Sequence, residues 1–177
     1  MGQYWVQPIP PFHTADAAAV TGTTLTELSP TPQKVIPAPW MNEFAGKTFE
    51  FAASGFYTTS ATAGTYTFGL YLGPSGAIGS MGTAIATTAA LSYVVSQTNR
   101  PWRIEGEIQI RSLGSAGTAV AFGDITNVTS GAKDLMFTTA GSTAAVDTTS
   151  ARALALGVTP SVAQSIACRY FSVKMIN

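Results

Sequence analysis

One segment, residues 102–111 (WRIEGEIQIR), constrains the fold of this chain more than any other. Apolar or small residues alternate with polar residues along all ten positions. In a β-strand successive side chains point to opposite faces, so this period of two puts one set in a core and the other in water. The core set consists of Trp102, Ile104, Gly106, Ile108 and Ile110, and the predicted exposed face carries Arg103, Glu105, Glu107 and Arg111.

Seven other segments have the length and composition of strands. They are rich in Thr, β-branched and aromatic residues, and turn residues such as Gly, Pro and Ser separate them. They cover residues 47–57, 65–73, 83–95, 117–125, 134–139, 152–159 and 165–176. Short strands at near-regular spacing indicate a sandwich or a barrel, and about eight of them is the number of a jelly roll. We predict an all-β fold, an antiparallel jelly-roll sandwich of about eight strands.

The segment 83–95 is the most ambiguous of these, because its alanines also favour a helix. Its embedded pair of threonines and its β-branched end argue for a longer strand or a pair of strands.

The first 39 residues differ from the rest, because they hold seven of the ten prolines. Proline fixes the backbone angle φ and removes a hydrogen-bond donor, so this segment is unsuited to a helix or a central strand. We predict an extended arm over residues 1–39 and a β-jelly-roll domain over residues 40–177. Disordered tails rarely carry closely spaced aromatic residues, so we expect the arm to dock on a partner or a neighbouring subunit rather than to be a disordered tail. The predicted contact residues are Tyr4, Trp5, Pro8, Ile9, Pro10, Pro11 and Phe12.

The chain is unusually poor in charge. Its hydrophobic fraction of 46% is ordinary, but only 10% of its residues are charged, whereas globular chains average about 25%. Charge keeps free proteins apart in solution, and the buried centres of subunit interfaces are depleted of it. The composition therefore predicts a protein whose surface is largely covered by other subunits of an assembly.

Several classes of function are disfavoured by the same composition. The formal net charge is zero and no basic cluster exists, so we expect no nucleic-acid partner. No apolar stretch reaches the length of about 18 residues that a membrane span requires, and the N-terminus has no secretory signal pattern, so we expect no membrane association. Cys168 is the single cysteine, which excludes an intrachain disulfide and a thiolate metal cluster.

The residues also offer little for catalysis. His13 is the only histidine and lies in the predicted arm, so a Ser-His-Asp site would require the arm to fold across the domain. Glu105 and Glu107 share one strand face, as paired catalytic carboxylates do. Because Arg103 and Arg111 flank them on that face, we interpret the four as a solvated surface. We expect no enzyme activity, no cofactor and no metal.

Three stretches together resemble a group of jelly-roll virion proteins of tailed bacteriophages. They are TFEFAASGFYTTSATAGTYTFGLYLG, NRPWRIEGEIQIRSLGSAGTAVAFG and AAVDTTSARALALGVTPSVAQSIACRYFSVKMIN. Members of the group are similar in having a Gly-Leu-Tyr strand, a Pro-Trp-Arg-hydrophobic-Glu-Gly strand and an Asp-Thr-Thr segment. The resemblance covers residues 47–177 and does not extend to the arm.

What the resemblance implies is a capsid decoration (cement) protein on the surface of the virion, made in the host cytoplasm. Such a protein commonly forms a homotrimer and binds the major capsid protein, and it stabilises the shell. Minor tail, fibre and baseplate proteins use similar folds and remain an alternative. A carbohydrate-binding jelly roll for host attachment is another, although the Gly, Ser, Thr and Ala of the predicted loops disfavour a sugar site.

Overall fold

The structure is a computed structural model that describes residues 7–9, 16–30, 32–126, 133–137 and 143–176. Within these ranges the chain forms thirteen strands, one helical turn (α1, Ala38–Met41) and one 3-10 turn (Ile78–Ser80). The strands are β1 (Gln7–Pro8), β2 (Thr26–Glu27), β3 (Lys34–Ile36), β4 (Thr48–Thr58), β5 (Thr65–Gly73), β6 (Ala86–Thr88), β7 (Leu91–Ser92), β8 (Arg100–Ser112), β9 (Thr118–Thr126), β10 (Lys133–Phe137), β11 (Ala144–Ala145), β12 (Arg152–Pro160) and β13 (Ser165–Ile176).

All of the strand pairings are antiparallel, and they join the strands into one curled sheet, a half-barrel. Its order is β1-β13-β4-β8-β9-β10-β6-β5-β12-β2, with β11 on β9, β3 on β12 and β7 on β5. The predicted all-β, antiparallel class is confirmed. The hydrogen bonds do not divide the described strands into the two separate sheets of the predicted sandwich.

The eight principal strands pair in a nested manner. In chain order they are β4, β5, β6, β8, β9, β10, β12 and β13. The first of them pairs with the last, the second with the seventh, the third with the sixth and the fourth with the fifth. The pairs β4–β8, β9–β10 and β5–β6 then join these units into the continuous sheet.

The residues before residue 40 that the structure describes lie against the sheet rather than extending from it. The strand β1 pairs with β13, Val20 bridges to Ile166, and β2 and β3 both pair with β12. Proline is tolerated at a sheet edge because the donor it lacks has no partner there, and this is where Pro8 lies. Packing thus continues across the predicted boundary at residues 39 and 40: Ile9, Val20, Leu28 and Ile36 are all buried in the common core.

Aromatic rings fill one part of that core. Trp102 lies 5.9 Å from Phe68 between ring centroids, and its Nε1 donates a hydrogen bond of 3.2 Å to the carbonyl of Ala167. The ring of Tyr66 lies against those of Tyr57 and Tyr93 at 6.1 and 4.9 Å. Such pairs add to the free energy gained by burying the rings.

The hydroxyl of Tyr66 is buried, and it has no hydrogen-bond partner among the residues that the structure describes. Burial raises the pKa of this phenol above its usual value, so it stays protonated. A desolvated hydroxyl without a partner costs free energy, and Tyr66→Phe removes it while keeping the ring. We expect the free energy of unfolding, measured by urea denaturation, to stay the same or to rise by up to about 1 kcal/mol.

Tyr93→Phe is the matched control for this substitution. The Tyr93 hydroxyl donates a hydrogen bond to the carbonyl of Thr62 at 3.3 Å, so its removal should lower the free energy of unfolding by about 1 kcal/mol. A loss of 1 kcal/mol or more in Tyr66→Phe would contradict the prediction.

Candidate functional site

The two halves of the sheet differ in what lies on their outer face. Over β5 and β12, the segment containing the 3-10 turn packs on the sheet and forms a second small apolar cluster with Tyr71 and Ala155. Over β13, β4, β8, β9 and β10, the outward side chains border an open groove of about 930 Å³. We call this surface the outer groove. Its outward side chains are Glu50, Ala52, Arg103, Glu105, Glu107, Phe122, Asp124, Leu135, Tyr170, Ser172 and Lys174.

The strand register arranges these side chains in three rows across the strands. The first row is Lys174, Glu50, Glu107 and Phe122. The second is Ser172, Ala52, Glu105, Asp124 and Leu135. The third is Tyr170, Ser54, Arg103 and Thr126. The small residues Ser172 and Ala52 lie between rows that carry longer side chains, which explains the depression there. From β13 to β9 each row spans about 14 Å, and neighbouring rows are about 7 Å apart.

Charged side chains are concentrated in the outer groove. Lys174 pairs with Glu50 across β13 and β4, and Arg103 pairs with Glu105 along β8. Glu107 lies directly opposite Glu50, and Glu105 directly opposite Asp124. Like charges at opposite positions of an antiparallel pair are destabilising. Four of the nine carboxylates of the chain are therefore neighbours on one face of the sheet.

Large apolar side chains border the same groove. Phe122, Leu135 and Tyr170 have exposed fractions of 54%, 62% and 55%, the highest of any large hydrophobic residues in the described ranges. Isolated exposed apolar residues are normal, but several large ones around one groove that also carries charged side chains are typical of an interaction site. The outer groove is thus the best candidate for a functional surface.

The predicted strand residues occupy both faces of β8. Trp102, Ile104, Ile108 and Ile110 are buried, whereas Arg103, Glu105 and Arg111 are exposed and Glu107 is half-buried. Arg111 lies beyond the outer groove, where it donates a hydrogen bond of 2.9 Å to Gln109.

The predicted arm contacts are only partly described. Pro8 is exposed and borders the outer groove. Ile9, which we expected on a partner, is 1% exposed and packs in the core of its own chain, where its backbone N–H bonds to Val173. The other predicted contacts lie outside the described residues: Tyr4, Trp5, Pro10, Pro11 and Phe12.

Sequence reasoning missed Phe122, Leu135 and Tyr170. The signal for Phe122 was present, because Ala119, Ala121 and Ile125 take the inward positions of the alternation and leave Phe122 outward. No comparable alternation marks Leu135 in its short strand.

The Asp-Thr-Thr segment has a structural role at the turn before β12. The Asp147 carboxylate accepts hydrogen bonds from the Thr149 hydroxyl and backbone N–H and from the Ser150 hydroxyl, at 2.6, 2.9 and 2.9 Å, and it pairs with Arg152. These contacts, above all the two hydrogen bonds from Thr149, lower the pKa of Asp147 to about 2. Because the folded pKa is below the usual value of 3.8, the stabilisation is present above that value and is lost as pH falls toward 2.

The chemistry available elsewhere is limited. Burial raises the pKa of the Cys168 thiol to about 12, which keeps it protonated and unreactive. Among the described residues, no group of three or more His, Cys, Asp or Glu side chains is placed to hold a metal ion. The ranges that the structure covers contain no helix that is long and apolar enough to cross a membrane.

No protein-family model matches the chain, and no curated protein matches it significantly. Its function must therefore be inferred from its composition, its fold and the outer groove.

Proposed function

We propose that this chain is a structural protein of a virus particle, a decoration protein that binds the outer surface of a bacteriophage head as a homotrimer. The observation that carries the proposal is the outer groove, where the three most exposed large apolar side chains in the described ranges lie around a set of charged side chains. A surface of this kind fits a protein partner, here the major capsid protein of the shell.

Two further features support the proposal. A jelly roll is a long antiparallel hairpin wound on itself, in which first and last strands pair. The nested pairing of the eight principal strands is compatible with that topology. The low charged fraction of 10% fits a chain whose surface is largely covered by other subunits. The resemblance of residues 47–177 to phage virion proteins points the same way.

The mechanism would be stabilisation by mass action. A subunit that binds the assembled shell and not the free capsid protein lowers the free energy of the assembled state by its own binding free energy. A trimer that engages three equivalent points at once converts modest single contacts into strong overall binding. The predicted arm contacts Tyr4 and Trp5 would add aromatic anchors, a residue type that dominates many interfaces.

The experiment combines oligomer mass with binding to particles. Light scattering at micromolar concentration should give the mass of a trimer. The protein should co-sediment with particles from which it has been stripped, and its binding should raise their temperature of disassembly. A monodisperse monomer that stays in the supernatant would contradict the proposal.

Two alternative functions predict different results when the same protein is tested with particles and glycans. A minor tail, fibre or baseplate protein would also bind a virion, but labelled protein would then be imaged on the tail rather than on the head. A carbohydrate-binding function is favoured by the exposed ring of Tyr170, since sugar rings stack on exposed aromatic side chains. If this alternative is right, the protein should bind a soluble glycan saturably, and Tyr170→Ala should abolish that binding.

A further inference from the structure

We propose that this chain associates with further copies of itself through one end of the half-barrel. Three connections between strands form this end: residues 59–64 between β4 and β5, residues 93–99 between β7 and β8, and residues 161–164 between β12 and β13. We call it the uncharged cap. That the copies number three rests on the proposed function, whereas the choice of surface is argued from the cap itself.

The uncharged cap belongs to the longest part of the sequence without charge. No Asp, Glu, Lys, Arg or His occurs in residues 51–99 or in residues 153–168. At the usual charged fraction of about 25%, the first stretch alone would hold about twelve charged residues. The structure brings the two stretches together, because β5 pairs with β12 and the second half of β4 pairs with the start of β13. The exposed residues of the cap are accordingly Ser, Thr, Ala and Asn, together with Val95.

Hydrogen bonds hold the three connections of the cap together. The carbonyl of Ser60 accepts one from the backbone N–H of Ser96 at 2.8 Å, and the N–H of Ser60 donates another to the side chain of Gln164, also at 2.8 Å. The hydroxyl of Thr59 donates to the carbonyl of Val94 at 2.7 Å. A surface that is fixed in this way loses little conformational entropy when a partner binds, which favours binding.

The connection before β8 also has a strained backbone. Ser96 and Asn99, with φ of 54° and 49°, are the two residues other than glycine with a left-handed backbone in the described ranges. This conformation costs free energy in residues that have a Cβ. It persists only where the surroundings fix it, and such residues cluster at functional surfaces. The connection is thus held in one shape, in which Val95 is 37% exposed.

The absence of charge indicates that the occupant of the cap is another copy of the chain. A charged side chain of a different protein would leave water on the cap without meeting a counter-charge, which costs free energy, whereas a second cap brings no charge. Encounters between different proteins gain rate and specificity from charge, and the buried centres of contacts between identical subunits are depleted of it. The outer groove, with its charged side chains, therefore suits a separate partner, and the uncharged cap suits a permanent contact between copies.

The test is Ala61→Glu, measured by light scattering on the full-length protein at micromolar concentration. Ala61 is exposed in the first connection of the cap, and in a closed symmetric assembly one substitution places a carboxylate in every contact at once, so the mass should fall to about a third of the native value. Ala61→Lys should have the same effect, since burying either charge without a partner is unfavourable. Both variants should keep the native circular dichroism spectrum, because residue 61 lies outside the core.

Ala145→Glu is the matched control, because it adds the same charge at an exposed position far from the cap. Ala145 pairs with Thr118, which lies opposite Ser112 at the other end of β8. This variant should keep the native mass. Equal loss of mass in Ala61→Glu and Ala145→Glu, native mass in both Ala61 variants, or a monomeric native protein would overturn the inference. A native trimer that the Ala61 variants dissociate, but that does not co-sediment with stripped particles, would count against the decoration function alone.

Discussion

Replacing Ile108 with aspartate is expected to unfold the protein at 25 °C. Ile108 is fully buried in β8, in register with Phe49 on β4 and Ala121 on β9. A buried carboxylate without a partner costs several kcal/mol or more, whereas the whole stability of a domain is about 5–15 kcal/mol. Circular dichroism should show loss of the cooperative thermal transition, and the amide resonances should collapse to the range of an unfolded chain.

The adjacent residue provides the control. Glu107 lies on the opposite face of the same strand and directly opposite Glu50. Glu107→Gln keeps the shape of the side chain and removes one of two repelling charges, so the free energy of unfolding should change by less than about 0.5 kcal/mol. If Glu107→Gln melted well below Ile108→Asp, the assignment of the two faces of β8 would be wrong.

The faces of single strands are the part of this fold that sequence predicts best. The period of two is local, and a slip of one residue would move Trp102, Ile104 and Ile108 from the core to the solvent. The segments 65–73 and 152–159 likewise match β5 and β12 within one residue. Gly106 breaks the apolar series because its neighbours leave no room for a Cβ, which would lie 2.3 Å from the carbonyl oxygen of Phe122 and 2.7 Å from Cζ of Phe51.

The order of the strands could not be read in this way, because it depends on pairings between residues far apart in the chain. The segment 83–95 forms two short strands, β6 and β7, of three and two residues. The prolines before residue 40 correctly exclude central strands. They do not exclude edge pairing: one short strand is expected between residues 14 and 38, where the structure has β2 and β3. The burial of Val20, Leu28 and Ile36 in the core was not predicted.

Only the charged residues of the outer groove, and not its exposed apolar residues, could be predicted from the sequence. Its charged residues on β8 were predicted, but Tyr170 was not, because β13 has a register shift between Cys168 and Tyr170. A strict period of two from Ile166 would bury Tyr170 and expose Phe171. The bulge reverses this, since the residues after it lie on the faces opposite to those that the pattern assigns.

A large loss of stability is also expected for Gly55→Ala, because Gly55 lies opposite the same bulge. Gly55 lies on β4 opposite Cys168, and a Cβ there would be 1.9 Å from the carbonyl oxygen of Ala167 and 2.9 Å from the Cα of Cys168. Both contacts are with backbone, so no side-chain rotation relieves them and β4 and β13 must move apart. The hydrogen bond from the indole of Trp102 to the carbonyl of Ala167 would be strained with them. Urea denaturation should show a loss of about 3 kcal/mol in the free energy of unfolding.

Gly79→Ala separates this steric effect from the general effect of replacing a glycine. A Cβ at Gly79, in the 3-10 turn, would meet no atom within 4 Å, and its backbone angle φ is not in the left-handed range. Because alanine also restricts the unfolded chain, Gly79→Ala should leave the stability unchanged or raise it by up to about 1 kcal/mol. Equal stabilities of the two variants would mean that β4 and β13 do not approach closely at the bulge. The outward position of Tyr170, which depends on that bulge, would then be wrong as well.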